Sequence, residues 1–260
     1  MPGRARLVFG FPDLHWFNRD ERAVAIATRA HALLKPETTV LGGDLWDATP
    51  FSRFGRKALE EMRHYLTFAK DEMLPSSRWL SRIERHTDKI VWLEGNHDDW
   101  ISRWIANTPG FDRLGEELIR TPSTWMLEHH PKLSIVPFVR ATDELSAYQL
   151  HPRLVTCHGW CANKYAARKH LDLSRSKSVI FHHTHRAQAD VTRDPHSGSI
   201  VEAVSAGCLC KRQPIWMHGV PTDWVHGFWI AYIGRHSYTL FTVRIEMGRA
   251  VLPDGREVRA

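Results

Sequence analysis

Five short apolar runs in this chain each end in a cluster of aspartate, asparagine or histidine, and no other feature restricts its possible folds as much. The runs are ARLVFGF (5–11), TTVLGG (38–43), DKIVWLEG (88–95), RLVTCHG (153–159) and KSVIFHH (177–183). Short apolar runs without polar alternation are expected of strands covered on both faces, as in the parallel sheets of α/β proteins. The clusters that follow are D-L-H (Asp13, His15), G-D-L-W-D (Asp44, Asp47), G-N-H-D (Asn96, His97, Asp98), C-H-G (His158) and H-H-T-H (His182, His183, His185). One aspartate after a strand is ordinarily a helix cap, but five such tips need another reason. Open α/β sheets bind ligands at the carboxyl ends of their strands, so the clusters mark a site.

Between the runs the periodicity is helical. A helix is expected from Arg19 to Leu34, with Asn18 as cap, Glu21 as its reciprocal partner and Pro36 ending it. Ala58, Leu59, Met62, Tyr65, Leu66, Ala69 and Met73 predict a long amphipathic helix over 52–74, and residues 163–173 read as another. From Gln188 onward strands and turns dominate, with a D-P-H-S-G hairpin tip at 194–198 and a hairpin over 226–245. Alternating β and α segments followed by an all-β tail predict a layered α/β fold with mixed sheets, read as one domain over 1–260.

With 43% hydrophobic and 25% charged residues, the composition excludes disorder and collagen-like repeats. No run approaches the roughly 18–20 apolar residues of a membrane-spanning helix, and MPGRARLVFGF lacks the apolar stretch of a secretory signal. A cytoplasmic protein with no membrane partner is therefore expected. The net charge of +6 is uneven: residues 1–130 hold 18 basic and 19 acidic side chains (net −1), and 131–260 hold 17 and 10 (net +7). A basic second half suits either a phosphate-rich ligand or simple solubility. With no export signal expected, Cys157, Cys161, Cys208 and Cys210 read as reduced thiols, and their C-x3-C and C-x-C spacings fit zinc patterns poorly.

Seventeen histidines are more than packing requires, and imidazole is the commonest metal ligand. The five clusters offer oxygen and imidazole without thiolate, which suits Mn, Fe or Zn. In their order they resemble the motifs of the calcineurin-like metallophosphoesterase superfamily: D-x-H, G-D-x-x-D, G-N-H-D/E, a later H, and G-H-x-H. The resemblance runs from Asp13 to His185, two-thirds of the chain. It implies a four-layered α/β sandwich of two mixed β-sheets flanked by helices, holding two divalent metal ions. By the same resemblance Asp13, His15 and His185 hold one ion, Asn96, His158 and His183 hold the other, and Asp44 bridges both. The expected metal is manganese, with iron, zinc or nickel as alternatives. His97 and Asp47 are the implied catalytic residues, His97 beside the leaving group and Asp47 hydrogen-bonding and orienting its imidazole.

These roles make chemical sense. A carboxylate between two cations reduces their repulsion, and ions roughly 3.5–4 Å apart can share a bridging hydroxide formed near neutral pH. Attack on phosphorus expels a poor alkoxide leaving group, and a protonated histidine beside it contributes about 10²- to 10⁴-fold. The chain departs from the pattern at His182, where the family has glycine. Histidine is more restricted there, and His182 reads as a group behind the ligands, a substrate contact or a loop residue.

The resemblance implies a phosphoester substrate. Ala48 stands where the serine/threonine phosphatases of the superfamily carry arginine, and the lipid-precursor hydrolases replace the G-N-H histidine, which this chain keeps as His97. Members that have become scaffolds also tend to lose that histidine. HGWCANKYAARKHL, GCLC and HGF look most like small stand-alone bacterial and phage phosphoesterases. Lys164, Arg168 and Arg175, with Lys169 and Lys177 nearby, suit either a phosphate-rich polymer or a solvated helix face. The motifs with the basic second half lead to the expectation of a phosphodiesterase acting on nucleotides or nucleic acid, with a phosphomonoesterase as the alternative. Trp16, Trp46, Trp100 and Trp160 follow motifs and either line a cleft or pack in the core, whereas Trp92, Trp216 and Trp229 read as core. His170, His182, His218 and His226 are further histidines expected near the pocket, without a role.

Overall fold

The computed structural model describes residues 4–51, 67–107, 121–139, 146–174, 176–195, 197–214, 217 and 219–260. Strands β1 (Arg6–Phe11), β2 (Thr38–Leu41), β3 (Lys89–Leu93) and β4 (Leu133–Val136) run parallel. The hairpin of β10 (Gly227–Ile233) and β11 (Tyr238–Arg244) adds antiparallel to β1, giving the order β11-β10-β1-β2-β3-β4. A second sheet has the order β5-β6-β7-β9-β8, from β5 (Ala147–His151), β6 (Leu154–Cys157), β7 (Ser178–Phe181), β8 (Ala187–Arg193) and β9 (Ile200–Ala206). Its centre β6-β7-β9 is parallel and both edges are antiparallel. A short pair, β12 (Arg249–Val251) and β13 (Glu257–Arg259), follows.

The helices are α1 (Glu21–Leu34), α2 (Leu74–Ile83), α3 (Asn96–Asn107), α4 (Pro122–His129) and α5 (Ala166–Leu173). Alternation along the strands builds the layers. Val8, Val40, Val91, Leu154, Ile180 and Trp229 meet between the two sheets. The opposite faces, Phe9, Phe11, Ile90 and Trp92, pack with Ile26 and Ala30 of α1 and Leu80 of α2. Val155, Val179 and Phe181 pack with Ala166, Ala167 and Leu171 of α5. Two large mixed sheets flanked by helices are thus the architecture the motifs implied. At about 25 cal/mol per Å² of apolar surface removed from water, each fully buried large side chain in these layers contributes about 1.5–3 kcal/mol.

Several boundaries differ from expectation. Helix α1 starts two residues later, because Asp20 rather than Asn18 caps it by accepting from the Ala23 N–H at 2.9 Å. Asn18 is instead held by Asp47, through its N–H at 2.8 Å and its amide at 3.1 Å. Most of the helix expected over 52–74, with Ala58, Leu59, Met62, Tyr65 and Leu66, lies outside the described residues. The described part passes through a π-helical turn at Ala69–Met73 and continues to Ile83. Pro75 lies just after the π-helical turn and does not stop the helix. The helix expected from 163 begins at Ala166, and α3 and α4 were not expected. Both C-terminal hairpins are present, with Asp194 and Ser199 closing the first. No helix among the described residues is long and apolar enough to cross a membrane.

Candidate metal centre

All five clusters lie just past the carboxyl ends of parallel strands, after β1, β2 and β3 of one sheet and β6 and β7 of the other. Tight turns aim the side chains. His15, Asp44, His183 and His185 all have left-handed backbones, with φ of 43°, 45°, 71° and 58°. Such conformations cost non-glycine residues free energy and persist where the surroundings hold them. The holding bonds are present: His15 N–H donates to the Asp44 carbonyl at 2.8 Å, and His183 N–H donates to the Asp13 carboxylate at 3.0 Å. Gly95 permits the approach of the G-N-H-D turn, since a Cβ there would lie 2.1 Å from Asp44 Oδ1.

Two groups of donors result. Asp13, His15, Asp44 and His185 present ligand atoms all within 4.8 Å of one another, as do Asp44, His158 and His183. In the first, His15 Nε2 faces His185 Nε2 at 3.2 Å, with Asp44 Oδ2 3.6 Å from His15 and Asp13 Oδ1 3.5 Å from His185. In the second, His158 Nε2 lies 3.4 Å from Asp44 Oδ2 and 3.2 Å from Asn96 Oδ1. His158 Nδ1–H donates to the Gly42 carbonyl at 2.9 Å, which turns Nε2 toward the centre. Every residue expected to hold a metal is therefore in one place, and Asp44 belongs to both groups.

The buried charges shift one another's protonation. Burial disfavours an imidazolium at His15, but the carboxylates of Asp47, Asp44 and Asp13 outweigh it and raise the pKa to about 10. His158 rises to about 9 for the same reason, mainly through Asp44. Burial opposes ionisation of Asp13, yet His185 and His158 hold it at about 2. His183 falls to about 4 through burial and the neighbouring His158. This oxygen and imidazole set fits divalent metal ions. A thiol stands beside it: Cys210 Sγ lies 3.8 Å from His185 Nδ1.

His97 stands at the edge of this cluster. Its N–H donates to Asp44 Oδ1 at 2.9 Å, and its ring lies against Trp100 with centroids 3.9 Å apart. Nδ1 is 2.7 Å from the Asp47 carbonyl, so Nδ1 carries the hydrogen of that bond. The expected Asp47–His97 bond is corrected in its atom: the main-chain carbonyl makes it. The Asp47 carboxylate binds Asn18 and lies 3.3 Å from His15 Nδ1. Burial lowers the His97 pKa, with Asp44 opposing.

Two further carboxylates hold the loops. Asp98 Oδ2 accepts from Gly95 N–H at 2.9 Å, and Oδ1 from Trp46 N–H at 3.1 Å, tying the G-N-H-D turn to the G-D-L-W-D turn. Burial and the nearby Asp44 push it up to about 8. Glu72 accepts from Asp47 N–H at 2.5 Å and Ala48 N–H at 3.3 Å, and burial followed by Asp47 raises it to about 8. Nothing in the sequence around Glu72 distinguished it from a solvated helix position.

His182, His170 and His226 have structural roles. His182 donates from Nδ1 to the Cys157 carbonyl at 2.8 Å and accepts from Trp229 Nε1–H at 3.1 Å, so it joins the two sheets. His170 is stacked on Phe181 and accepts from the Trp160 N–H at 3.2 Å. His226 is bonded to the Cys210 carbonyl at 2.9 Å, and His218 lies outside the described residues. Trp16, Trp46, Trp92 and Trp229 are core, Trp100 backs His97, Trp160 is 45% exposed, and Trp216 lies outside the described residues. All four cysteines are free and buried, as the composition suggested.

No protein-family model and no curated protein matches the chain. Among solved structures it is similar to vacuolar protein sorting 29 from Cryptosporidium parvum, at TM-score 0.50 and 11% identity over 99% of this chain and 97% of that one. Wild-type Vps29 complexed with zinc from Entamoeba histolytica gives TM-score 0.48 and 10% identity, covering 98% of each chain. A dimetal phosphatase from Danio rerio gives 0.38 and 12%, covering 92% of this chain and 99% of that one. At such identities a likeness speaks to the fold alone. The fold is that of the calcineurin-like metallophosphoesterases.

Proposed function

We propose that the protein is a dimetal-dependent phosphoester hydrolase that cleaves phosphodiester bonds in nucleotides or nucleic acid. The observation that carries this reading is the buried convergence of Asp13, His15, Asp44, His158, His183 and His185 beside His97. Two bound divalent ions would polarise the phosphoryl group and lower the pKa of coordinated water, so that hydrolysis proceeds at neutral pH. Asp44 holds both donor groups in register, and Asn96 completes the second. His97, with Nδ1 tied to the Asp47 carbonyl, is the group whose second ring nitrogen would pass a proton to the departing oxygen.

Support for an anionic, extended substrate comes from the segment after His158. Lys164, Arg168 and Lys169 are exposed there, although Arg168 is already paired with Asp172 at 3.0 Å. Lys169 Nζ lies 5.8 Å from the ring of the exposed Trp160, an arrangement suited to a phosphate beside a base. Arg175 lies outside the described residues.

The test is an activity panel of mono-, di- and cyclic phosphoesters with single- and double-stranded DNA and RNA, run with Mn, Fe, Zn, Ni and Mg. Hydrolysis of diesters with manganese is the expected result. Turnover of an aryl phosphomonoester with none of any diester would replace the diesterase by a phosphomonoesterase, and no turnover with any metal would remove the enzymatic reading.

A further inference from the structure

We propose that Glu72 is a positioning residue for the His97 imidazole, acting through the peptide group between Asp47 and Ala48. This rests on the phosphoesterase reading above, in which His97 protonates the leaving group. The Asp47 carbonyl that accepts from His97 Nδ1 at 2.7 Å belongs to the same peptide plane as the Ala48 N–H, which donates to Glu72 Oε2 at 3.3 Å. The adjoining Asp47 N–H donates to the same oxygen at 2.5 Å. An acceptor on the N–H side of a peptide draws charge toward its carbonyl oxygen, which strengthens the bond the carbonyl accepts on the other side.

The backbone requires such a hold. Ala48 has φ of 47°, a left-handed conformation that alanine does not adopt without cost. Released from Glu72, the Asp47–Ala48 peptide can rotate toward a relaxed conformation, taking the carbonyl away from His97 and freeing the ring. Glu72 itself is 4% exposed and sits in the π-helical turn Ala69–Met73. One extra residue in a helical turn rotates the following side chains by about 100°, and such turns recur at functional sites. The helix grips the same loop a second time, where Trp46 Nε1–H donates to Ser76 Oγ at 2.9 Å.

Paired substrates sharing one phosphoryl group, a nitrophenyl ester and an alkyl ester, read the effect. Steady-state rates, bound metal and thermal unfolding are measured for the wild type, His97→Ala, Glu72→Ala and Glu72→Gln. Glu72→Ala is expected to lower kcat for the alkyl ester by about 10- to 100-fold and for the nitrophenyl ester by about threefold or less, with KM and metal content kept. Glu72→Gln restores most of the loss, because its amide oxygen can accept the same two N–H groups. Equal losses on both esters for Glu72→Ala, while His97→Ala discriminates between them, overturn the role of Glu72 and leave the hydrolase reading intact. A His97→Ala variant that does not discriminate removes the acid role of His97, and that of Glu72 with it. If Glu72→Ala does not fold, Glu72→Asp takes its place: a shorter side chain cannot span both N–H groups, and the same selective loss on the alkyl ester is required of it.

Discussion

Asp44 touches every part of the centre. Its Oδ2 lies 3.6 Å from His15 Nε2 and 3.4 Å from His158 Nε2, and its Oδ1 accepts the His97 N–H. Asp44→Asn keeps the size of the side chain and removes the charge, so both donor groups should weaken together. Metal analysis after dialysis is expected to find less than one equivalent of retained ion, and two tightly held ions would contradict the shared role. The ligands could be read from the chain because each is a polar residue directly after an apolar strand, a pattern packing alone does not produce. Glu72 could not be read that way. Its work consists of accepting backbone N–H groups of residues 25 and 24 positions away, and no local pattern encodes such partners.

Between elements, the His182–Trp229 bond joins the loop after β7 to β10 across the space between the sheets. The departure from glycine at 182 is matched elsewhere in the chain. A Cβ on Gly42 would lie 2.4 Å from His182 Cδ2, and one on Gly10 would lie 1.8 Å from Trp229 Cε2, so two glycines make room for the two rings. Placing glycine at this position by His182→Gly would open a cavity and leave the Trp229 N–H without its acceptor. The expected loss is about 2–4 kcal/mol in urea unfolding, and a loss below about 0.5 kcal/mol would show that the bond is dispensable. Strands β1, β2, β3, β6 and β7 were legible because each is a short run without polar alternation, whereas β4 and β5 were not expected. The start of α1 was not, because Asn18 and Asp20 are both good caps and only the position of Asp47 decides between them. The π-turn at Ala69–Met73 carries no marker of its own, since residues of either helix type look alike in periodicity.

At the scale of the whole molecule, stability should fall in mild acid, and His31 identifies one cause. It is fully buried, with Nε2 2.7 Å from Thr39 Oγ1, and burial followed by the repulsion of His86 lowers its pKa to about 3. In the unfolded chain it titrates near 6.5. The unfolded state therefore binds the extra proton between those values, and stability present above pH 6.5 declines as pH falls toward 3. The slope approaches about 1.4 kcal/mol per pH unit, so the wild type should lose about 2 kcal/mol more than His31→Gln between pH 7.5 and 5 in urea titrations. Equal losses would mean that His31 takes up its proton in the folded state. Sheet order carries a different consequence, for the making of the chain. Because β10 pairs with β1, one edge of β1 from Arg6 to Gly10 keeps its hydrogen-bonding groups unpaired until residues 227–233 emerge from the ribosome. The nascent chain thus presents an open, apolar strand edge for most of its synthesis, a period in which a chaperone or a neighbouring copy can reach it.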